Sequence, residues 1–384
     1  MLVNPAVLYS LTWIFVLGLY SLGLSAVLEP LADNTIVLVI GTSMTFILGW
    51  VLESLPYRGR RASSKIDMAP LVSTICSRRV GARAHGLWTF FFVALLFEIA
   101  IGGGAPILGT LGIGPEILYT DFGLPGFHGL VNSVFYAASV LTFTRALLRS
   151  SPRVPWLILA TMMYPLLGMS RQVMISLCVQ YFFVYISVRR PSTAIVVRVC
   201  VLFVATFLAF GYLGDLRSSR EAIVAWLAPD LDYPDWLPSA FLWFYLYVST
   251  PLNNVNLNIG IAPNYFPLET ASTLIPSFAR EGFMNAFGGP RQWDLVTDTF
   301  NVSSLLQSLL TDFGVIGTIL FTLLCGIAFS RLLRRAHYSP GAFFAVIVLL
   351  HGITLSFFAN LLFHLVFLCE IALLAWVVSG RRRR

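Results

Sequence analysis

Long apolar runs recur along the whole chain, and they constrain its fold more than any other feature. A helix that crosses a membrane needs about 20 mostly apolar residues. Ten runs approach or exceed that length, at residues 5–28, 34–54, 86–103, 127–148, 154–168, 172–188, 196–214, 304–330, 341–358 and 361–379. Only 11% of the residues are charged, against roughly 25% in soluble domains, which excludes the soluble and disordered classes. The pattern predicts an all-α polytopic membrane protein with about ten transmembrane helices in a single integral domain, residues 1–384.

The fifth and sixth runs, within residues 154–188, allow two interpretations. They form either one bent helix, interrupted around Pro165 and Gly168, or two short spans. Arginines flank the stretch at both ends, which places both ends on one side of the membrane if basic residues mark the cytoplasmic side. Two spans therefore fit the charges better than one.

Most basic residues fall on one side of the membrane when the predicted spans are placed in order. Twenty of the 25 Lys and Arg residues fall in segments that the topology places on one side. These segments are 55–85, 145–153, 189–198, 331–335 and 381–384. Because cytoplasmic segments carry an excess of Lys and Arg, the charges predict a multi-pass membrane protein with both termini in the cytoplasm.

Five arginines remain on the opposite, periplasmic side, against the usual charge bias. They are Arg171, Arg217, Arg220, Arg280 and Arg291. One interpretation pairs them with carboxylates, since loop 215–303 holds nine Asp and Glu residues. The other interpretation makes them binding groups for an anionic substrate. It is strongest for Arg171, which has no carboxylate nearby in the sequence, because a charge at such a place indicates a functional site.

Two periplasmic loops are expected to carry the function. Residues 104–126 form a Gly- and Pro-rich loop with little charge, and residues 215–303 form a large, partly helical loop. Inside the second loop, residues 239–250 are apolar but too short to cross, which favours a re-entrant or interfacial segment. The asparagines that follow, Asn253 and Asn256 among them, suit sugar hydroxyls as well as turns and helix caps.

Motifs for cofactors and metals are missing from the sequence. It contains no Walker-type glycine loop and no HExxH motif, so neither a nucleotide cofactor nor a metal ion is expected. One acidic pair has a metal-binding spacing, but Asp230 and Asp232 lie in a Pro-rich acidic stretch that is typical of a solvated turn. The net charge of +7 indicates membrane orientation rather than a nucleic-acid partner.

Five segments, taken in order, resemble the oligosaccharide repeat-unit polymerases, which are the O-antigen polymerase or Wzy family. They are GGGAPIL at 102–108, YTDFGLPGFHGL at 119–130, GDLR at 214–217, STPLNNVN at 249–256 and LLTDFGVIGTI at 309–319. The first two resemble the family's outer loop after the third span. The third is similar to its Gly-x-x-Arg at the start of the large loop. The motifs that carry the resemblance lie between residues of about 100 and 330. Outside that range the chain resembles the family in the order of its predicted spans.

The resemblance implies a membrane glycosyltransferase of lipopolysaccharide and polysaccharide biosynthesis. Such enzymes transfer a growing chain from undecaprenyl diphosphate to the non-reducing end of a new lipid-linked repeat unit, on the periplasmic face of the inner membrane. The implied transfer inverts the anomeric centre and uses no metal or cofactor. The expected partners are the undecaprenyl-diphosphate-linked glycan, membrane lipid and a chain-length regulator protein.

The residues themselves support the same chemistry. Guanidinium groups bind phosphate in bidentate fashion and stay charged, so the five periplasmic arginines suit a diphosphate leaving group. The attacking sugar hydroxyl needs a general base within hydrogen-bond reach. Asp215, Glu269 and His364 are the candidate catalytic residues, and the sequence does not separate them. His364 also suits helix packing.

Two other functions fit parts of the sequence. An O-antigen ligase moves polymer from the same lipid diphosphate onto lipid A core, so it shares the leaving-group chemistry and differs in its acceptor. A non-enzymatic transporter of lipid-linked glycans is expected to contain paired broken helices and internal repeats. The sequence offers one interrupted stretch, 154–188, and no convincing repeat.

Overall fold

The computed structural model describes residues 3–55, 68–117, 121–189, 219–289, 291–297 and 300–379, with scattered positions between 197 and 215. Over these residues the chain folds into helices joined by turns and short irregular segments. In chain order the helices are α1 (Pro5–Tyr20), α2 (Asp33–Ser54), α3 (Met68–Ile75), α4 (Arg78–Gly102), α5 (Pro106–Thr110), α6 (Phe127–Leu148), α7 (Val154–Leu167), α8 (Arg171–Val188), α9 (Arg220–Val224), α10 (Ala240–Leu257), α11 (Leu268–Ser272), α12 (Ser277–Ala286), α13 (Leu305–Ala336), α14 (Pro340–Thr354) and α15 (Leu365–Val378).

Five of these helices are long and apolar enough to cross a membrane, namely α2, α4, α6, α8 and α13. Four shorter apolar helices, α1, α7, α14 and α15, accompany them. The prediction of a helical, multi-pass membrane protein is thereby confirmed in its coarse form, and the number of ten spans stays a prediction. The seventh predicted span, 196–214, falls largely outside the described residues, and the positions described there are helical.

Helices α7 and α8 form an antiparallel hairpin rather than one bent helix. The chain turns at Met169, whose φ of 51° lies in the left-handed region. Across the hairpin the hydroxyl of Tyr181 donates to Thr161 Oγ1 at 3.0 Å, so residues on either side of the turn lie side by side. Pro165 lies in the last turns of α7, and the break follows it. The two-helix interpretation of 154–188 is the one that the structure shows.

Two predicted segments have different limits in the structure. The first apolar run, 5–28, is helical only as far as Tyr20, and the chain then turns at Gly23 with a φ of 61°. The short segment expected at 239–250 is only the first part of α10, which continues through Pro251 to Leu257. The helix is therefore longer than the apolar run that predicted it. Asn253, Asn254 and Asn256 bond to neighbouring loops, and the helix ends at its C-cap residue, Asn258. Most side chains of α10 are buried inside the protein.

Helices α2 and α13 pack closely through glycine. The backbone of the opposite helix lies directly against both Gly49 on α2 and Gly326 on α13, which leaves neither glycine room for a side chain. Thr45 Oγ1 also donates to the carbonyl of Ile319 across this contact, at 2.8 Å. Small residues let helix backbones approach in a membrane, where packing rather than the hydrophobic effect drives helix association.

Gly314 breaks α13 near its start. Its φ of 68° and ψ of −178° are not helical, and its backbone packs against Pro263. The break leaves the Thr311 carbonyl without its helical donor, and this oxygen accepts from the backbone N–H of Asn264 at 2.8 Å. A broken helix is tolerated within a membrane protein when neighbouring groups satisfy the freed backbone in this way.

Arginines collect at one end of the bundle, where they bind carbonyls at the ends of helices. Arg83 donates to three carbonyls at the end of α15, at 2.7 to 3.0 Å. Arg145 and Arg149 donate to carbonyls at the end of α3 and just after it, and Arg334 binds Glu53 at the end of α2. Cations stabilise the negative C-terminal ends of helix dipoles. We call this the arginine end, and the opposite end, where α8 and α15 begin, the loop end.

The buried apolar side chains form two main cores. One lies around α6 and includes residues of α4, α7, α8, α14 and α15. The other joins α1, α2, α10 and α13. The two cores meet along α1, α8 and α10, and the candidate site lies at this boundary.

Candidate functional site

An apolar groove of about 430 Å³ lies where the two cores meet. It is lined by Leu11, Thr12, Phe15, Arg171, Gln172, Ile175, Val179, Phe207, Phe244, Tyr247, Val248, Thr354, Leu355, Phe357 and Phe358. Leu11 and Phe15 are 57% and 47% exposed, so the groove opens at the side of the bundle, where a membrane protein meets lipid. Ligand sites commonly have volumes of about 300–1,000 Å³, so the groove is large enough to hold part of a lipid chain.

Arg171 is the charged residue of this lining, and it begins α8 at the loop end. Its guanidinium carbon lies 5.7 Å from the ring centroid of Trp243 and 6.0 Å from that of Tyr247, distances typical of cation–π contacts. The N-terminus of a helix carries a partial positive charge that attracts anions. The side chain of the N-cap residue, Ser170, makes no capping bond to this first turn. The groove thus combines apolar walls with a positive end.

Trp243 is held in place by the start of the large loop. Its indole N–H donates to Asp215 Oδ1 at 2.9 Å, and the other carboxylate oxygen accepts from the hydroxyl of Ser239. The backbone of Gly214 packs directly against the indole ring, so no side chain fits at that position. The first two residues of the GDLR segment therefore position the aromatic ring under Arg171. Asp215, a predicted general base, has both oxygens engaged in this contact.

A second cluster at the loop end surrounds the short helix α11. Asp312 is fully buried and lies just before the break in α13. Its two carboxylate oxygens accept from the backbone N–H groups of Glu269 and Thr270, at 2.7 and 2.8 Å. A carboxylate at a helix N-terminus satisfies free N–H groups and complements the helix dipole. Asp312 thus fixes α11, and with it the position of the Glu269 side chain.

Glu269 has the acid–base property that was expected of a catalytic carboxyl group. Burial and the nearby charge of Asp312 together raise the pKa of Glu269 to about 7, although the positive charge of Arg291 opposes the rise. A carboxyl group with a pKa near 7 accepts and releases a proton readily at neutral pH. Strongly shifted groups of this kind cluster at functional sites.

Arg280 and His364 lie beside the same short helix. Arg280 donates to the carbonyls of Ser272 and Ile275, at 2.9 and 3.3 Å, and so caps the end of α11. His364 is the N-cap of α15, and its Nδ1 accepts from the backbone N–H of Val366 at 3.4 Å. A second contact ties α15 to this region, because the N–H of Leu365 donates to a carbonyl just after α11.

Residues 355–364, between α14 and α15, connect the groove to this second cluster. At their start, Phe357 and Phe358 line the groove, and the ring of Phe358 stacks on Tyr247 with centroids 5.8 Å apart. At their end, the carbonyl of Phe363 accepts from the hydroxyl of Thr273 at 2.7 Å. One short segment therefore forms a wall of the groove and also contacts the turn that follows α11.

Three predicted binding residues make structural contacts. Arg220 donates to the backbone carbonyls of residues 234–237 and stacks over Tyr233. Asn253 accepts from the backbone N–H of Glu29, and Asn256 accepts from the N–H of Ala32, both in the connection between α1 and α2. Both asparagines are nearly fully buried. In the described conformation these contacts support the loops, and sugar binding by these residues stays a prediction.

The remaining predicted residues divide between the two clusters. Arg171 and Asp215 meet through Trp243, at the groove. Glu269, Arg280, Arg291 and His364 belong to the surroundings of α11, where Arg291 donates to the carbonyl of Ala262. Arg217 lies outside the described residues. The structure therefore brings Arg171 to the groove, Arg291 near Glu269 and Arg280 to the C-terminal end of α11.

Two residues of the site were missed by sequence reasoning. Trp243 is one of several aromatic residues of the loop 215–303, and no local motif marks it as the partner of Arg171. Asp312 lies in the segment LLTDFGVIGTI, which was noted as a resemblance and not as a source of carboxylates. The partner of a further carboxylate also has no local signal: His128 Nδ1 lies 3.0 Å from the buried Glu98 Oε2 at the loop end of α4 and α6.

Metal-binding groups are not clustered in the described part of the chain, where no three His, Cys, Asp or Glu residues lie close enough together to hold an ion. Comparison with protein-family models, with curated proteins and with solved structures gives no match. The functional argument therefore depends on the geometry of the two clusters.

Proposed function

We propose that the chain is a membrane glycosyltransferase that polymerises undecaprenyl-diphosphate-linked repeat units on the periplasmic face of the bacterial inner membrane. One observation carries this proposal: the groove that opens to lipid ends at Arg171. A polyprenyl carrier needs an apolar surface for its chain and positive charge for its diphosphate. The groove offers both within one cavity.

Arg171 and the N-terminus of α8 bind the diphosphate in this proposal. A guanidinium group forms paired hydrogen bonds with phosphate oxygens, and helix N-termini bind phosphate groups. When the bond between the sugar and the diphosphate breaks, negative charge grows on the leaving oxygen. A cation held at that position stabilises the transition state more than the ground state, which is how electrostatic catalysis works.

Glu269 acts as the general base. The acceptor hydroxyl attacks the anomeric carbon, its proton passes to the Glu269 carboxylate, and the bonding electrons of the departing oxygen stay with the diphosphate. A pKa of about 7 suits this step, because a large fraction of the group is ionised at neutral pH and still binds a proton well. His364, in the same cluster, is the second candidate for this role.

Arg291 contributes positive charge near Glu269, and Arg280 contributes it at the C-terminal end of the same short helix α11. In this proposal they bind the incoming glycan or its own diphosphate, while Arg171 binds the donor diphosphate. The segment 355–364 supports the assignment of both clusters to one site, since it forms the groove wall and contacts the turn after α11.

The test is polymerisation by the purified protein in lipid nanodiscs supplied with lipid-linked repeat units alone. We expect a ladder of glycan lengths on gels and in mass spectra. Arg171→Ala is expected to reduce chain growth about 10²–10³-fold, as the loss of one transition-state hydrogen-bond donor does. Arg171→Lys is expected to recover little of it, because lysine lacks the paired donor geometry.

Arg79→Ala is the matched control, since Arg79 is an exposed arginine at the arginine end and its loss is expected to leave the ladder unchanged. Transfer that occurs only when lipid A core is added would favour a ligase and contradict the polymerase. Movement of the lipid-linked glycan across vesicles without any change in its length would contradict a transferase of either kind.

A further inference from the structure

A second buried carboxyl group lies inside the helix bundle, apart from the groove and from α11. Glu370 on α15 is 0% exposed. Its Oε2 accepts from the side-chain Nε2 of Gln180 on α8 at 3.0 Å, and Gln180 is also 0% exposed. This single hydrogen bond comes from a neutral amide, so it supplies no compensating charge.

Two other carboxylates on the long apolar helices have side-chain partners that can carry positive charge. Glu98 is paired with His128, and Glu53 is paired with Arg331 and Arg334. These are the ion pairs formed among the described residues, and Glu370 belongs to none of them. An ionised carboxylate that is removed from water and lipid headgroups without a cation is very unfavourable. Glu370 therefore needs another way to lose its charge.

The unpaired atoms of the two side chains indicate how this occurs. Glu370 Oε1 and Gln180 Oε1 are both buried and have no hydrogen-bond partner among the described groups. A proton on Glu370 Oε1 makes this atom a donor, and Gln180 Oε1 is an acceptor at the matching end of the same amide. A carboxylic acid and an amide each carry a donor and an acceptor, so one proton on Glu370 gives both side chains the groups with which to satisfy each other.

Either orientation of the Gln180 amide leads to the same protonation state of Glu370. If the amide is turned over, its oxygen meets Glu370 Oε2 at the same 3.0 Å separation. Two acceptor oxygens at this distance also require a proton between them. Both orientations thus require the acid form of Glu370.

We propose that Glu370 and Gln180 form an intramembrane proton-binding site, in which Glu370 is a neutral carboxylic acid at neutral pH. The site is separate from the proposed glycosyl transfer, and it links α8 to α15 through a bond that depends on one proton. Removal of this proton places an uncompensated charge between the two helices.

The neighbouring groups offer no positive charge to replace the proton. Tyr136 on α6 and His351 on α14 approach the turn before Glu370 on α15, where their rings lie 5.3 and 4.7 Å from that of Phe367. His351 is 0% exposed and both its ring nitrogens lack hydrogen-bond partners, so a charged imidazole is disfavoured there. Arg83 is bound to carbonyls at the far end of α15.

Infrared difference spectroscopy of the full chain in lipid nanodiscs tests the proposal directly, without any substrate. The carbonyl stretch of a carboxylic acid is well separated from the bands of a carboxylate. We expect the difference between the wild type and Glu370→Gln at pH 7 to show the loss of a carboxylic-acid band and no loss of carboxylate bands. The control is Glu98→Gln, in which the band assigned to Glu370 remains.

Glu370→Gln replaces the acid by an amide of the same shape, so we also expect its thermal unfolding midpoint to stay close to that of the wild type. Loss of carboxylate bands in the difference spectrum would contradict the proposal. So would carboxylate bands that depend on added sodium, because a metal cation would then neutralise the site. If the variant does not fold, ¹³C-glutamate labelling of the wild type tests the proposal instead. A carboxylic-acid band that shifts with the label and that changes in Gln180→Leu supports the proposal. The absence of such a band contradicts it.

Discussion

The guanidinium group of Arg171 lies 5.7 Å from the centre of the Trp243 indole ring, and the N–H of the same indole donates to Asp215. Three residues from α8, α10 and the start of the large loop are thus arranged in series. A cation over an aromatic face is attracted by the electrons of the ring. The position of Arg171 at the groove therefore depends on the orientation of the indole, which Asp215 fixes.

Asp215 is expected to position Trp243 rather than take a proton from the substrate. In Asp215→Asn the side-chain oxygen still accepts from the indole N–H and the amide still reaches Ser239, so both contacts of the wild type persist. We expect its rate of chain growth to fall by much less than the about 10²–10⁴-fold contributed by a general base. The measurement is the initial rate of glycan extension in nanodiscs.

Asp215→Ala serves as the comparison for this variant. It leaves the buried indole N–H without an acceptor, which costs about 1–3 kcal/mol, and it frees the ring beneath Arg171. We expect a larger loss of rate than in Asp215→Asn, together with a higher KM for the lipid-linked donor. Equal and complete inactivation of both variants would instead identify Asp215 as the base.

Glu269 is expected to control the acidic limb of the pH–rate profile. A base must be deprotonated to act, and burial raises the pKa of Glu269 to about 7. The rate is therefore expected to rise with pH up to about 7 and to become level above it. Glu269→Gln removes this dependence and lowers the rate by about 10²–10⁴-fold.

Glu281→Gln is the matched control for the base, because Glu281 is an exposed carboxylate on the neighbouring helix α12. Its profile is expected to overlay that of the wild type. Should the acidic limb persist unchanged in Glu269→Gln, the role of base would pass to another group, with His364 as the next candidate.

Asp312→Asn is expected to change both the stability of the protein and the pH profile. An asparagine presents an NH₂ group to one of the two backbone N–H donors of α11, so a buried donor loses its partner at a cost of about 1–3 kcal/mol. The same change removes a negative charge that raises the pKa of Glu269. The acidic limb should therefore move to lower pH.

The two effects of Asp312→Asn are measured separately, by thermal unfolding in nanodiscs and by the pH dependence of the initial rate. A purely structural role predicts a lower unfolding midpoint with an unshifted acidic limb. A shift of the limb toward higher pH would contradict the electrostatic coupling between Asp312 and Glu269.

The positions of most helices were predictable because long apolar runs have few alternatives in a membrane protein. The ends of helices were less predictable, since distant residues determine them. The segment after Tyr20 leaves the helix where Ser25 and Ala26 bond to the carbonyl of Trp226, about 200 residues away. The continuation of α10 past Pro251 likewise depends on loops that no local pattern identifies.

For the candidate site, the unusual position of charge was the useful signal. It pointed to Arg171, which the structure places in the groove, and to Arg280, beside α11. Residue type alone did not separate the carboxylates. Asp215 meets a tryptophan 28 residues away, and Glu269 owes part of its shifted pKa to a carboxylate 43 residues later in the chain. Such partners are determined by the fold.

The glycine contact between α2 and α13 gives a prediction about stability that is independent of the proposed function. A Cβ atom at Gly49 would collide with the backbone of the opposite helix, and a backbone has no alternative rotamer with which to move away. We expect Gly49→Ala to lower the free energy of unfolding by about 1–3 kcal/mol, as overpacking does.

Gly18→Ala is the matched control, because Gly18 also lies within an apolar helix and has open space at its Cβ position. That change is expected to be neutral or stabilising by up to about 1 kcal/mol, since alanine is the better helix former. Thermal unfolding followed by tryptophan fluorescence distinguishes the two variants, and equal midpoints would contradict a close approach of these helices.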